Sequence, residues 1–304
     1  MPIQTSDNKY SVAKFIVNPT AGLGTHTTIT AAMTSAVSGD VVFVTQGTYT
    51  ENFTITPGVL LCAVPGAHEN EHVKIVGKII YVGGADTTIS NIALQTNGDF
   101  CVQYSGTTAG SLTLDRCNIL ATDNTSVSFT NTSASSFFYW TDCEGNISTN
   151  TITLFAMTSA GIMFIDENRI TNTGNSAVLS SVSDGALFVH FSDLEVGITS
   201  SGTSSLGISH TTLFPFGGSA VPLTVGGSGS NTIAFVQLFT QNAVAATINT
   251  TLLVIYSNFD TNAANVANGN GTITYGAIDI TPFTGTFAGT LTLVKGDIYL
   301  GNIH

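Results

Sequence analysis

Charge is what this sequence has least of. Its 304 residues include 7 basic and 19 acidic side chains, far below the quarter or so usual in soluble domains. The bases Lys9, Lys14, Lys74, Lys78, Arg116, Arg169 and Lys295 are scattered. A surface that tracks phosphates needs clustered Lys and Arg, so nucleic acid is excluded as a partner. Long hydrophobic runs are missing as well, and without a stretch of about 18 apolar residues no membrane span is expected. Cysteine is sparse: Cys62, Cys101, Cys117 and Cys143 are too few for a disulfide scaffold. The polar opening MPIQTSDNKY does not read as a secretory leader. No Walker loop, zinc-finger spacing or nucleophile elbow occurs, and no cofactor is expected. His68 and His72 bracket HENEH, but no third ligand stands in register, so no metal site is expected.

Polarity comes instead from Thr, Ser, Asn and Gly, residues that suit turns and exposed strand faces and disfavour helix interiors. With 43% hydrophobic residues a large core is available, and the chain reads as mostly β. The stretch SLTLDRCNI (111–119) gives a template: apolar at positions 1 and 3, small or apolar at 6, apolar at 8. Alternation puts positions 1 and 3 on one face. The two extra residues turn a corner and return position 6 to the inside.

The template recurs at Thr87/Ile89/Ile92/Leu94, Phe138/Trp140/Cys143 (closing at Ile147 after an insertion), Met163/Ile165/Asn168/Ile170, Leu187/Val189/Ser192/Leu194 and Leu206/Ile208/Thr211/Leu213. A weak copy reads Ala234/Val236/Phe239. Further copies start at Leu252, Ile273 and Leu291, and an early one reads Phe53/Ile55/Gly58/Leu60. From Thr87 to Leu291 nine steps cover 204 residues, about 23 each. A β unit of that length in tandem fits a solenoid whose coils bury their inward residues only by stacking. The fold expected is all-β: a right-handed parallel β-helix of about ten to twelve coils.

Stacking predicts columns. Position 6 collects Ile92, Cys117, Cys143, Asn168, Ser192 and Thr211, so Cys117 and Cys143 become buried neighbours and Asn168 bonds backbone groups at the corner. Positions 4, 5 and 7 point outward and bring Asp115, Arg116, Asp142, Glu144, Asp166, Glu167, Arg169, His190 and Asp193 onto neighbouring coils.

The entry differs. THTTITAAMTSAV (25–37) predicts a helix capped by Thr25 or Thr27, with Ile29, Ala32, Met33 and Val37 on one face. Gly39-Asp40 ends it and Val41 to Val44 form a strand. The domain plan is a tether over 1–13, a cap over 14–60 and the β-helix over 61–304. The residues Thr28-Ile29, Ala32, Gly39-Asp40-Val41-Val42, Gly47-Thr48-Tyr49 and Glu51-Asn52 resemble the entry segment of pectin-lyase-like β-helices, pectin methylesterases above all, and of phage tail spikes. The methylesterase resemblance implies a mid-chain aspartate pair, oxyanion-binding glutamines and an arginine. The motif ending Asp-Phe-Ile-Phe-Gly has no counterpart, since Gly98-Asp99-Phe100-Cys101 shares only two letters with it.

Two chemistries suit the outward columns. Stacked carboxylates could cleave glycans: Asp142 and Glu167 on adjacent coils would sit about 5 Å apart, near the retaining separation, and Asp115 and Asp166 about 10 Å apart. Alternatively the charges form a ladder, Arg116 against Asp142 and Arg169 against Asp193 or Glu167. Glycan contacts are expected from Phe137, Tyr139, Arg116, Arg169 and His190, the aromatics stacking on sugar rings. Leu253, Ile255, Tyr256 and Val294 read as outward and apolar, which a parallel homotrimer would cover.

The expected role is a structural, receptor-binding part of a phage-like virion (tail spike, tail fibre or head fibre). Such a part would fold in the host cytoplasm and be displayed on the virion surface beside other virion proteins, against cell-surface polysaccharide. The alternatives are a carbohydrate-cleaving enzyme and a cellular surface adhesin. Ice binding is not supported, because Thr54/Thr56, Thr151/Thr153 and Thr272/Thr274 do not fall on consecutive rungs.

Overall fold

A computed structural model describes residues 14–293 apart from 65–71, 99, 123–124, 148–152, 173–177, 183, 215–222, 235, 241–243, 256–257, 262–264, 269–271 and 276–289. Its strands run in three parallel sheets, one of 13 strands and two of 10. Each coil contributes one strand to each sheet, so neighbours in space are one coil apart in sequence. That is the parallel β-helix expected from the period, and parallel connections of this kind are right-handed almost without exception.

The repeat maps onto the first, 13-stranded sheet. Leu112 pairs with Thr87 and Phe138, and Leu114 with Ile89 and Trp140. The rungs continue through Met163/Ile165, Leu187/Val189 and Leu206/Ile208. These inward side chains are buried. After the corner each coil enters the second sheet, where Ile119, Ile170, Leu194 and Leu213 turn inward. The third sheet closes the coil with Tyr81, Tyr104 and Phe129 in register. Their rings lie 4.6 and 4.8 Å apart, adding ring–ring attraction to burial.

Three copies sit differently from their reading. The early one is Val59/Leu61, because Leu61 pairs with Ile89; Phe53–Thr54 belongs to the third sheet, paired with Ile79. The weak copy is Asn231/Ile233/Val236/Leu238, with Asn231 opposite Leu206 and Leu238 opposite Leu213. Asn231 is polar yet buried, its amide donating to the carbonyls of Gly227 and Gly229. The copy at Phe138 needs no insertion. Gly145 stands opposite Ile119, and Ile147 is the next inward residue. A Cβ on Gly145 would come 3.3 Å from the Trp140 indole, so the small residue accommodates the large one.

At the entry, helix α1 (Ile29–Ser35) is shorter than predicted. Its cap is Thr28, which accepts from Ala31 N–H. Glu51 accepts from the Ile29 and Thr30 N–H groups. Ile29, Ala32 and Met33 cover the solenoid. Val37, beyond the helix, is 57% exposed because the chain has already turned away after the C-cap Ala36. The strand Val41–Val44 is present and pairs with Leu60–Ala63 in the first sheet, so the cap and the coils share one sheet.

Candidate functional site

The corner between the first and second sheets sets the site. Position 5 carries φ +58 at Asn91, +50 at Arg116, +51 at Asp142, +56 at Glu167, +47 at Phe191 and +50 at His210. A left-handed residue costs about 1–2 kcal/mol unless it is Gly or Asn. The corner takes this conformation because it keeps the ladder closed. Each position 5 N–H still donates to the carbonyl before the corner on the next coil: Arg116 to Thr141, Asp142 to Asp166, Glu167 to His190.

Position 6 completes the corner from inside. Cys143 N–H donates to Asn168 Oδ1 (2.8 Å), Cys117 N–H to Cys143 Sγ (3.1 Å) and Asn168 N–H to Ser192 Oγ (3.2 Å). Asn168 Nδ2 donates to the carbonyls of Trp140 (2.6 Å) and Asp166 (2.8 Å). Cys143, Asn168 and Ser192 thus each satisfy a corner amide of the coil before, while Cys117 and Thr211 donate to carbonyls, of Ile89 and Asp115 and of Ser209. All four cysteines are free and buried. Burial pushes the Cys62 and Cys101 thiols up to about 12, and Cys143 upward as well, by burial and then by its bond with Cys117.

Outside the corner lies an open groove of about 500 Å³, lined by Arg116, Asp142, Glu144, Glu167, Arg169, Phe191 and Asp193 among others. The structure therefore brings together four predicted site residues: Arg116, Asp142, Glu167 and Arg169. The predicted charge ladder is different. Arg116 pairs with its own neighbour Asp115 at 2.8 Å, not with Asp142, and Asp115 also accepts from Ser90 Oγ. The adjacent pair forms because the left-handed turn folds the arginine back over Asp115, and the bond raises the Arg116 pKa. Among the described residues the other ion pair is Lys14–Asp40, so Arg169 makes none with Asp193 or Glu167. Asp142, Glu144, Glu167 and Asp193 are all exposed.

Five predicted residues stay on the first sheet: Asp115, Phe137, Tyr139, Asp166 and His190. Phe137 and Tyr139 point outward there, as the alternation requires, but their rings lie against each other at 6.2 Å. Tyr139 also stacks on Phe164 at 5.1 Å, and Phe164 on Phe188 at 5.3 Å. Phe188 leans over Gly207, where a Cβ would come 2.6 Å from its ring. Ring faces in this ladder are turned to one another, leaving mainly edges outward. Asp166 and His190 occupy neighbouring places in the row beside the corner, and Asp166 Oδ1 is buried without a hydrogen-bond partner. Phe191, outside the glycan contacts expected from the sequence, also lines the groove. It is 59% exposed and stacks on His210 at 4.9 Å. Its signal was available, since an aromatic at position 5 must point outward. His68 to Glu71 lie outside the described residues, as do Tyr256 and Val294 and the side chains of Leu253 and Ile255.

The fold is a parallel β-helix. Solved structures similar to the chain include pectin methylesterase from carrot, at 11% identity and TM-score 0.44, over 94% of this chain and 89% of that one. Another is pectin methylesterase PemA from Erwinia chrysanthemi, at 10% and 0.42, over 76% and 80%. ORF18 of Geobacillus virus E2 matches at 12% and 0.26, over 84% and 52%. No protein-family model and no curated protein matches the chain. Likeness at this level assigns neither activity nor substrate, since one fold hosts many functions.

Proposed function

We propose that this protein is a structural, receptor-contacting component of a phage-like particle, a tail spike or fibre, which meets cell-surface glycans along the side of its solenoid. The observation that carries the reading is the corner groove. It is open and polar, and it holds an exposed aromatic ring beside exposed carboxylates. Sugars are bound by aromatic faces and polar groups together. The carboxylates stand in water, without the apolar enclosure that turns one carboxyl of a glycosidase into an acid. Contact without cleavage suits that arrangement. The low charge of the chain and the outward aromatic ladder Tyr139–Phe164–Phe188 suit assembly with further copies, which would cover that strip.

The test is retention on immobilised bacterial surface polysaccharides. Binding by the wild-type chain with no change in polymer length supports the reading. No retention on any glycan overturns it. The competing enzymatic reading rests on Asp142 and Glu167 occupying adjacent rungs at the corner. It requires polymer shortening by the wild type that Asp142→Ala or Glu167→Ala abolishes.

A further inference from the structure

We propose that the corner groove is one half of a longer track that binds a linear, uncharged polysaccharide lying parallel to the solenoid axis. The proposal rests on the glycan-contact reading above and adds the ligand's charge, orientation and minimum length. A second cleft, of about 410 Å³, opens on the second sheet and is lined by Thr48, His72, Lys74, Ala93, Asn118 and Leu120 among others. The two clefts adjoin. Position 7 runs in unbroken register from Thr48 to Lys74, Ala93 and Asn118, all lining the second cleft, although Ala93 and Asn118 are themselves buried rather than outward. Glu144, paired directly with Asn118, then lines the corner groove with Arg169 and Asp193. No rung intervenes. Seven rungs at a strand spacing of about 4.7–4.9 Å make a track of about 28–29 Å.

Charge along the track excludes polymers of one sign. The near end carries Lys74, with His72 beside it. The far end carries Asp142, Glu144, Glu167 and Asp193 against Arg169, while Arg116 is held by Asp115. A polyuronate or sulfated chain would meet four carboxylates at the far end. A polyamine would meet Lys74 at the near end. Like-charge contact of this kind is how a surface rejects the wrong partner. An uncharged chain meets no repulsion anywhere, and the polar side chains of Thr48 and Arg169, both exposed, offer hydrogen bonds to hydroxyls. Phe191 supplies the apolar stop at the far end. One side of its ring rests on His210, and the remainder faces solvent at the groove.

A size ladder of neutral β-linked oligosaccharides, titrated calorimetrically against the full chain, tests this directly. Affinity should climb with length and level off at about six or seven rings, the number a track of seven rungs holds at about one ring per rung. Phe191→Asn removes the ring but suits the left-handed backbone. It should weaken binding of a long oligomer about tenfold, with melting temperature unchanged or raised. Lys74→Gln, at the other end, should weaken the long oligomer several-fold and leave a two-ring fragment unaffected or nearly so. Oligogalacturonates of equal length should bind more weakly than the neutral series. Preference for the galacturonates, saturation at two rings, or indifference to both substitutions would overturn the track while leaving glycan contact standing. Failure to bind any sugar would remove both.

Discussion

Asn168 shows how much structure a single side chain can hold. Its carboxamide receives one corner amide and donates to two carbonyls on two coils. Asn168→Leu would leave the Cys143 N–H buried and unsatisfied, at about 1–3 kcal/mol, while the Asp166 carbonyl keeps the Asp142 N–H. We expect a loss of about 1–3 kcal/mol in chemical denaturation, and a much smaller one for Asn168→Ser, because Ser192 does the same work one coil on. A loss under 1 kcal/mol for the leucine variant would contradict this account. The cysteines belong to the same column logic. With Cys62 and Cys101 raised to about 12 and all four thiols buried, the native protein should resist a thiol reagent at pH 8. All four should react once it is denatured. This column was legible in the sequence because period and residue size point the same way. The partner of Arg116 was not legible, since it depends on backbone handedness at one residue, which no spacing encodes.

Among elements, the corner is the most constrained and the easiest to improve. Glu167 holds φ +56 with its side chain in water. Glu167→Gly removes the left-handed penalty and should stabilise the fold by about 1 kcal/mol, read as a raised melting temperature. No gain would mean that the corner is not strained. The turn after α1 has a pH dependence of known sign. Asp40 accepts from the Val37 N–H and from Lys14. These bonds hold its carboxyl below the usual 3.8, the backbone bond most of all. A pKa lowered on folding stabilises above the unfolded value and is lost as pH falls through the folded one. Asp40→Asn should therefore melt lower than wild type at pH 7, and the gap should narrow as pH falls below 3.8 and through the lowered folded pKa. Helix ends and rung registers are the elements that spacing does not fix. The apolar spacing carries the helix to Val37, two residues past its end at Ser35. The coil at Phe138 reads as holding an insertion because Gly145 carries no apolar signal. Its glycine is explained only by the indole of Trp140 packed beside it, a contact between strands that no single-strand pattern contains.

Over the whole molecule the period decides almost everything. Three parallel sheets in continuous register follow from a template repeated about every 23 residues, and the outward columns follow from the same alternation. The site was half legible for that reason. Residues at position 5 were brought together as foreseen, while the aromatics at position 2 turned to each other on a different face of the coil. Function at this scale depends on what the sides of the solenoid touch. The aromatic ladder on the first sheet faces a neighbouring copy in our account, and the corner track faces the glycan. The measurement that tests this division most directly is the solution mass by sedimentation equilibrium. The account predicts three times the 31.5 kDa chain, with the ladder substitution Phe164→Lys lowering the mass and sparing glycan binding. A wild-type chain that sediments as a monomer at all concentrations would contradict it.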